Sequence, residues 1–121
     1  PAWAPHMIQG WTPDFIPTVL QETIDHKLYD SIMPVSSEAG IKWAQQLAKR
    51  EGIITGISGG STFAIAVEIA EKAPDGSVIL CMLPDTAERY MSSPLFESIE
   101  SEMDAEEVNI SKSTPGFQIP E

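Results

Sequence analysis

The run Val78-Ile79-Leu80-Cys81-Met82-Leu83 constrains this chain more than any other stretch. Its apolar residues are consecutive, so no face is left for water. A half-exposed strand would alternate apolar and polar residues, and an amphipathic helix would repeat every three or four. The run is also short, and turn formers bracket it: Pro74-Asp75-Gly76 before, Pro84-Asp85-Thr86 after. Such a segment reads as a strand buried on both faces, the kind that lies between helix layers in a parallel sheet.

The rest of the chain alternates around it. Ser31-Ile32-Met33-Pro34-Val35 reads as a strand, with Pro34 favouring a sheet edge. Ser36 and Ser37 then offer N-caps, and Glu38 suits a first helical turn. Ile41, Ala44, Leu47 and Ala48 share one helical face, Lys49 and Arg50 suit the last turn, and Gly52 ends it. Ile53 to Ser58 reads as the next strand. Gly59-Gly60 predicts a tight turn, and Thr62 to Lys72 a second helix with Phe63, Ala66, Val67 and Ala70 on one side. Pro94 to Met103 predicts a last helix. The first stretch, Pro1 to Pro17, holds four of the ten prolines and reads as a loop, with His6 to Gln9 a short extended piece. Phe15 to Leu28 has room for a helical turn or two. No internal repeat is visible. The expected fold class is α/β, with parallel strands, packed helices and right-handed crossovers. Residues 1–103 form the ordered portion in this reading, and 104–121 an acidic, mobile tail.

Charge narrows the partners. Seven basic residues stand against eighteen acidic ones, a formal net charge of −11. Nucleic acid needs Lys and Arg to displace counterions, and an anionic membrane needs them too, so neither partner is expected. No apolar run approaches the roughly 20 residues of a membrane span, and no signal-peptide pattern opens the chain. The single cysteine leaves no internal disulfide, which suits a reducing, cytoplasmic compartment. The chain starts at Pro1, which reads as processing, trimming or a piece of something longer. His6 and His26 have no companions at metal-ligand spacing. Cys81 reads as a small core residue. The acids from Glu97 to Glu107 read as a solvated face.

Ligands of parallel sheets bind at the carboxyl ends of strands. Two polar loops meet that condition: Gly56 to Thr62, and Pro84 to Tyr90. The first offers glycines for close approach and a helix start for an anion, but lacks the lysine of a phosphate-binding P-loop. It reads equally as a plain turn with Ser61 as N-cap. In the second, Glu88 and Arg89 read as orienting a site or as a weak surface pair.

Four segments together resemble one family: His6-Met7-Ile8-Gln9-Gly10, then Glu51 through Ser61 (Glu-Gly-Ile-Ile-Thr-Gly-Ile-Ser-Gly-Gly-Ser), then Leu83 through Ser92, then Pro94-Leu95-Phe96. In order and spacing they resemble the carboxyl-terminal part of cysteine synthase (O-acetylserine sulfhydrylase) and cystathionine β-synthase, pyridoxal-phosphate enzymes of the tryptophan-synthase-like fold. The resemblance covers about residues 5 to 100. It implies a share in the large domain, a pyridoxal 5'-phosphate cofactor, an amino-acid substrate, and β-replacement turning O-acetylserine and sulfide into cysteine and acetate. It also implies a homodimer in the full-length form and serine acetyltransferase as a partner.

By the same resemblance, Pro84, Asp85 and Thr86 lie at the cofactor, with Thr86 as the hydroxyl facing the pyridine nitrogen. A neutral hydroxyl there leaves the ring a moderate electron sink; a carboxylate from Asp85 would make it a stronger one. Gly56 and Ser58 resemble the strand end along the cofactor ring. Gln9 and Gly10 resemble the loop on the substrate side, though Gly10-Trp11-Thr12-Pro13-Asp14 is bulkier than the family's glycine-rich version. Ala87 stands where a glycine is usual. The Schiff-base lysine, the substrate-carboxylate loop and the phosphate cradle precede this region in the family, and none of Lys27, Lys42, Lys49, Lys72 or Lys112 sits in a matching motif. The chain alone is therefore expected to be inactive, with no catalytic residue of its own. A non-catalytic binding or interaction module of the same fold, or an independent α/β domain, remains open; a severed sheet should self-associate where an independent domain would not.

Overall fold

The structure, a computed structural model, describes residues 4–113. Four helices carry it: α1 (Thr18–Asp25), α2 (Ser37–Glu51), α3 (Ile57–Ala70) and α4 (Ala105–Ser113), with a single 3₁₀ turn at Ala87–Tyr90.

Helix α2 is written locally at both ends. The Ser36 side chain accepts from the Ala39 N–H, and Gly52 closes the helix in the left-handed region at φ +67°. Its buried face is Gly40, Ala44 and Leu47, and α3 packs directly against it. A methyl group on Gly60 of α3 would run into the Gly40 carbonyl and the backbone of Ala44, and one on Gly40 would run into the Ser61 side chain. Ser61 itself is fully buried and donates to the Ile57 carbonyl at 2.8 Å. Around this contact Ile8, Ala44, Ile57, Ala87, Tyr90 and Leu95 form the core.

This explains the first departure from the sequence reading. Gly59 and Gly60 do not turn the chain. They lie inside α3, which starts at Ile57 with Gly56 as its N-cap, and Ser61 is not a cap. The glycines serve close packing instead.

The second departure concerns the strands. Among the described residues no sheet ladder forms; the only bridge is antiparallel, Thr55 to Thr86. A strand needs neighbours that take up its N–H and C=O groups, and none of the predicted segments 31–35, 53–58 and 78–83 pairs with another. The third segment still alternates like a strand: Val78 and Leu80 are each 96% exposed and Met82 70%, while Ile79, Cys81 and Leu83 are half-buried. Cys81 is thus not fully buried in a core. The Thr62 hydroxyl of α3 ties the segment down, reaching the Met82 carbonyl at 2.6 Å.

The third departure lies beyond Tyr90. Residues 94–103 form successive turns, not a helix. The Gln45 side chain takes the Leu95 carbonyl at 2.9 Å, and the Ile99 N–H bonds back to Phe96. The helix comes later, at α4, inside the stretch read as a tail. Asp104 Oδ1 accepts from the N–H groups of Glu106 and Glu107 at 2.8 Å, and Glu107 reaches back to the Asp104 N–H at 2.9 Å. That reciprocal pair is a capping box. Residues 1–3 and 114–121, the ends of the predicted loop and tail, lie outside the described residues.

Two outcomes follow from the packing. Gly60→Ala should lower unfolding stability by about 1–3 kcal/mol through overpacking, measured as a drop in the urea midpoint of helical circular dichroism. The open apolar edge should drive association: at micromolar concentration the chain should sediment above its 13.2 kDa mass, and Leu80→Lys should shift it towards monomer.

Candidate functional site

The two loops singled out in the sequence meet. Thr55 and Thr86 share the antiparallel bridge, and the Thr55 hydroxyl donates to the Asp85 carbonyl at 3.0 Å. This clamp sets the start of α3 beside the Pro84–Tyr90 loop. Gly56 lies beneath the Tyr90 ring and the Asp85 carboxylate, both of which occupy the space a side chain would need. The Tyr90 hydroxyl donates to Asp85 Oδ2 at 2.6 Å. Ser58, buried at the start of α3, lies near Tyr90. Asp85 Oδ1 is buried without a partner.

Thus Gly56, Ser58, Asp85 and Thr86 are brought into one cluster, with Ser58 buried and Thr86 exposed. The neighbouring Thr86 hydroxyl, and then the backbone N–H, hold the Glu88 carboxyl below its ordinary pKa. Pro84 adjoins the cluster and is exposed. Gln9 and Gly10 are exposed on a separate turn, with Gly10 at φ +79°. Their tie to the cluster is Ile8, buried with Ile57, Ala87 and Tyr90. His6 braces that turn: its Nδ1 accepts from the Ile8 N–H at 3.2 Å, and its Nε2 lies 2.7 Å from the Thr12 hydroxyl. Glu88 and Arg89 do not pair; the ion pair among the described residues is Lys72 with Glu68, at 2.7 Å.

Sequence reasoning overlooked Thr55 and Tyr90. Thr55 was legible as a hydroxyl within an otherwise apolar stretch. Tyr90, five residues after Asp85, became a partner because the 3₁₀ turn folds it back.

The Tyr90 phenol is held above its ordinary pKa, first by its hydrogen bond to Asp85, then by burial and the Asp85 charge; Arg89 and Ser58 oppose the shift. The cluster therefore holds one proton between a carboxylate and a phenol, Asp85 and Tyr90, with the buried Ser58 hydroxyl and the exposed Thr86 hydroxyl nearby.

No family model matches the chain. Curated proteins and solved structures do, and over this stretch the chain is homologous to cysteine synthase, cystathionine β-synthase and their relatives. It is 44% identical over 102 residues to O-ureido-L-serine synthase of Streptomyces lavendulae, a match covering 84% of this chain and 30% of the relative. With cysteine synthase of Staphylococcus aureus it is 36% identical over 92 residues, covering 76% of this chain and 28% of that one. The crystal structure of O-ureido-L-serine synthase superposes with a TM-score of 0.76 at 42% identity, covering 88% of this chain and 33% of that chain. Cysteine synthase from Entamoeba histolytica gives 0.71 at 31% identity, covering 86% and 30%. The chain thus spans about a third or less of the relatives it matches. It shares their fold over the matched part, while the parallel pairing of its strands is not seen among the described residues.

Tyr90→Phe keeps the ring but leaves both Asp85 oxygens without a donor. It should cost about 1–3 kcal/mol of stability. The linkage has a definite sign. A raised folded-state pKa gives stability that is complete below the ordinary tyrosine value of about 10 and lost as pH rises through the folded value. Urea unfolding from pH 8 to 12 should show the parent losing its advantage over Tyr90→Phe at the alkaline end.

Proposed function

We propose that this chain is the carboxyl-terminal portion of a pyridoxal-phosphate enzyme of the cysteine synthase type, and that it supplies one wall of the cofactor site. The observation that carries this reading is the clustering of Gly56, Ser58, Asp85 and Thr86, drawn from two separated family-like segments, at the Thr55–Thr86 bridge. The residues fit one side of such a group. A buried hydroxyl, an exposed hydroxyl and an unpartnered buried carboxylate oxygen stand close together, and a heteroaromatic nitrogen needs a polar neighbour of this kind.

When bound, the cofactor supplies the electron sink that lets a leaving group depart from the β-carbon of an amino acid. This chain's part is to hold and orient. Thr55 fixes the Asp85 backbone, Tyr90 fixes the Asp85 side chain, and Gly56 leaves room for both. Two hydroxyls can face the ring nitrogen, Thr86 and Ser58. Thr86 is favoured, being exposed on the Pro84–Tyr90 loop, whereas Ser58 is buried at the start of α3. All five lysines are exposed and none joins the cluster, in keeping with an aldehyde-binding lysine supplied from elsewhere.

The reaction assigned is β-replacement on an O-activated serine, with O-acetylserine and sulfide giving cysteine and acetate. A second product, O-ureido-L-serine, is favoured by the 44% identity to its synthase; there the nucleophile is the oxygen of a hydroxyurea.

The test is a graft of this chain in place of the matching stretch of O-ureido-L-serine synthase. The graft should bind pyridoxal phosphate and consume O-acetylserine with sulfide or hydroxyurea, and the faster nucleophile identifies the product. Thr86→Ala should weaken cofactor binding about tenfold, the loss of one hydrogen bond, and Ser58→Ala by less. The chain alone, mixed with pyridoxal phosphate and reduced with borohydride, should give no single-site adduct by mass spectrometry. A stoichiometric adduct on one lysine would overturn the reading.

A further inference from the structure

Thr55 and Ala87 also line a cavity that is separate from the cluster. It measures about 430 Å³, partly open to solvent, and lies between α2 and the turns over 94–103. Gly56, Ser58, Asp85 and Thr86 do not line it, and neither does the run 78–83. Its wall is mostly apolar: Ala48, Ile54, Leu95, Phe96 and Ile99. Leu95 is buried, while Ile54 and Ile99 remain 57% and 61% exposed. Apolar surface gathered in a concavity and left wet gains when a ligand covers it. The polar groups are graded. Thr55 is buried and Gln45 half-buried, and both are engaged: the Thr55 hydroxyl donates to the Asp85 carbonyl at 3.0 Å, the Gln45 amide to the Leu95 carbonyl at 2.9 Å. Lys49 and Ser98 are exposed, and Lys49 forms no ion pair among the described residues. Lys49 is also the only charged residue of the lining; Glu97, between two lining residues, stays out of it. In a chain of eighteen acids and seven bases, a cavity with one cation and no carboxylate is set for an anion.

We propose that this cavity binds a short aliphatic carboxylate, its hydrocarbon end against Ile54, Leu95 and Phe96 and its head at Lys49 and Ser98. The inference does not depend on the cofactor-wall reading. An amino acid is excluded by the lining, because no carboxylate waits for its ammonium. A sugar or a phosphate would set polar atoms against an apolar wall whose inner hydrogen-bonding groups are already engaged, at a desolvation cost. An aliphatic acid divides as the cavity does, apolar inside and charged at the rim. Its occupancy reaches the cluster through one residue. Thr55 lines the cavity and holds the Asp85 carbonyl, so a bound ligand steadies the clamp from behind.

Hexanoate is the probe. Titrated into the full chain, it should bind saturably by calorimetry and slow amide hydrogen exchange at Thr55 and Ala87. Hexanamide, of the same length without the charge, should bind about fivefold more weakly, the worth of one partly exposed ion pair, and hexylamine should not bind. Lys49→Gln should bring hexanoate down to the affinity of hexanamide. Ala48→Leu fills the cavity from α2 and should abolish binding while the helical circular dichroism is kept; if that variant unfolds, Lys49→Gln still decides. No saturable binding by the parent chain would overturn the inference. So would equal affinities for hexanoate and hexanamide, or a preference that survives Lys49→Gln, either of which marks an unselective apolar patch. The same titration on the graft should agree. A graft that binds pyridoxal phosphate but not hexanoate would show this surface covered by the rest of the parent, overturning the inference and leaving the cofactor-wall reading standing.

Discussion

The distance between α2 and α3 is set by backbone, not by side chains. Gly60 meets the Gly40 carbonyl and the Ala44 backbone directly, and Ser61 lies fully buried in the same seam. Interiors pack to crystal-like density, so a contact this close leaves nothing to rearrange. Everything at the candidate site is referred to it. The start of α3 fixes Gly56 and Ser58; the Thr55 clamp then fixes the Pro84–Tyr90 loop against that start; and the core of Ile8, Ile57, Ala87, Tyr90 and Leu95 fills the space beneath. Move α3 by the width of one methyl group, and Gly56 no longer fits beneath Tyr90 and Asp85.

What could be read beforehand depended on how local the signal was. Helix α2 was legible because both its caps are written in adjacent residues, Ser36 and Gly52. The start of α3 was not, since Gly59-Gly60 carries the same letters whether it bends a chain or admits a neighbour; only α2 decides between them. The turns over 94–103 were missed for a similar reason: Gln45, fifty residues away, takes the Leu95 carbonyl. Helix α4 was a different failure. Asp104-Ala105-Glu106-Glu107 is a capping box in plain view, passed over because its acids were counted as charge and not as hydrogen-bond acceptors.

The site divides the same way. Asp85, Thr86, Gly56 and Ser58 were legible as family-like segments, and the structure gathers them. Their ranking was not legible. Exposure separates Thr86, open on its loop, from Ser58, buried at the start of α3, and no pattern of letters carries that distinction. The apolar run 78–83 behaves as a strand in its alternation but stands without strand neighbours among the described residues, leaving its N–H and C=O groups open to pairing.

The seam between α2 and α3 also bears on how a lineage carrying this stretch can drift. A side chain at position 60 would strike the backbone of position 40, and one at position 40 would strike Ser61. At position 60 no neighbouring substitution can make room, because backbone atoms have no smaller form to retreat to; at position 40 room would first require a smaller residue at 61. Substitutions that diversify this surface are tolerated best on the outer faces of both helices.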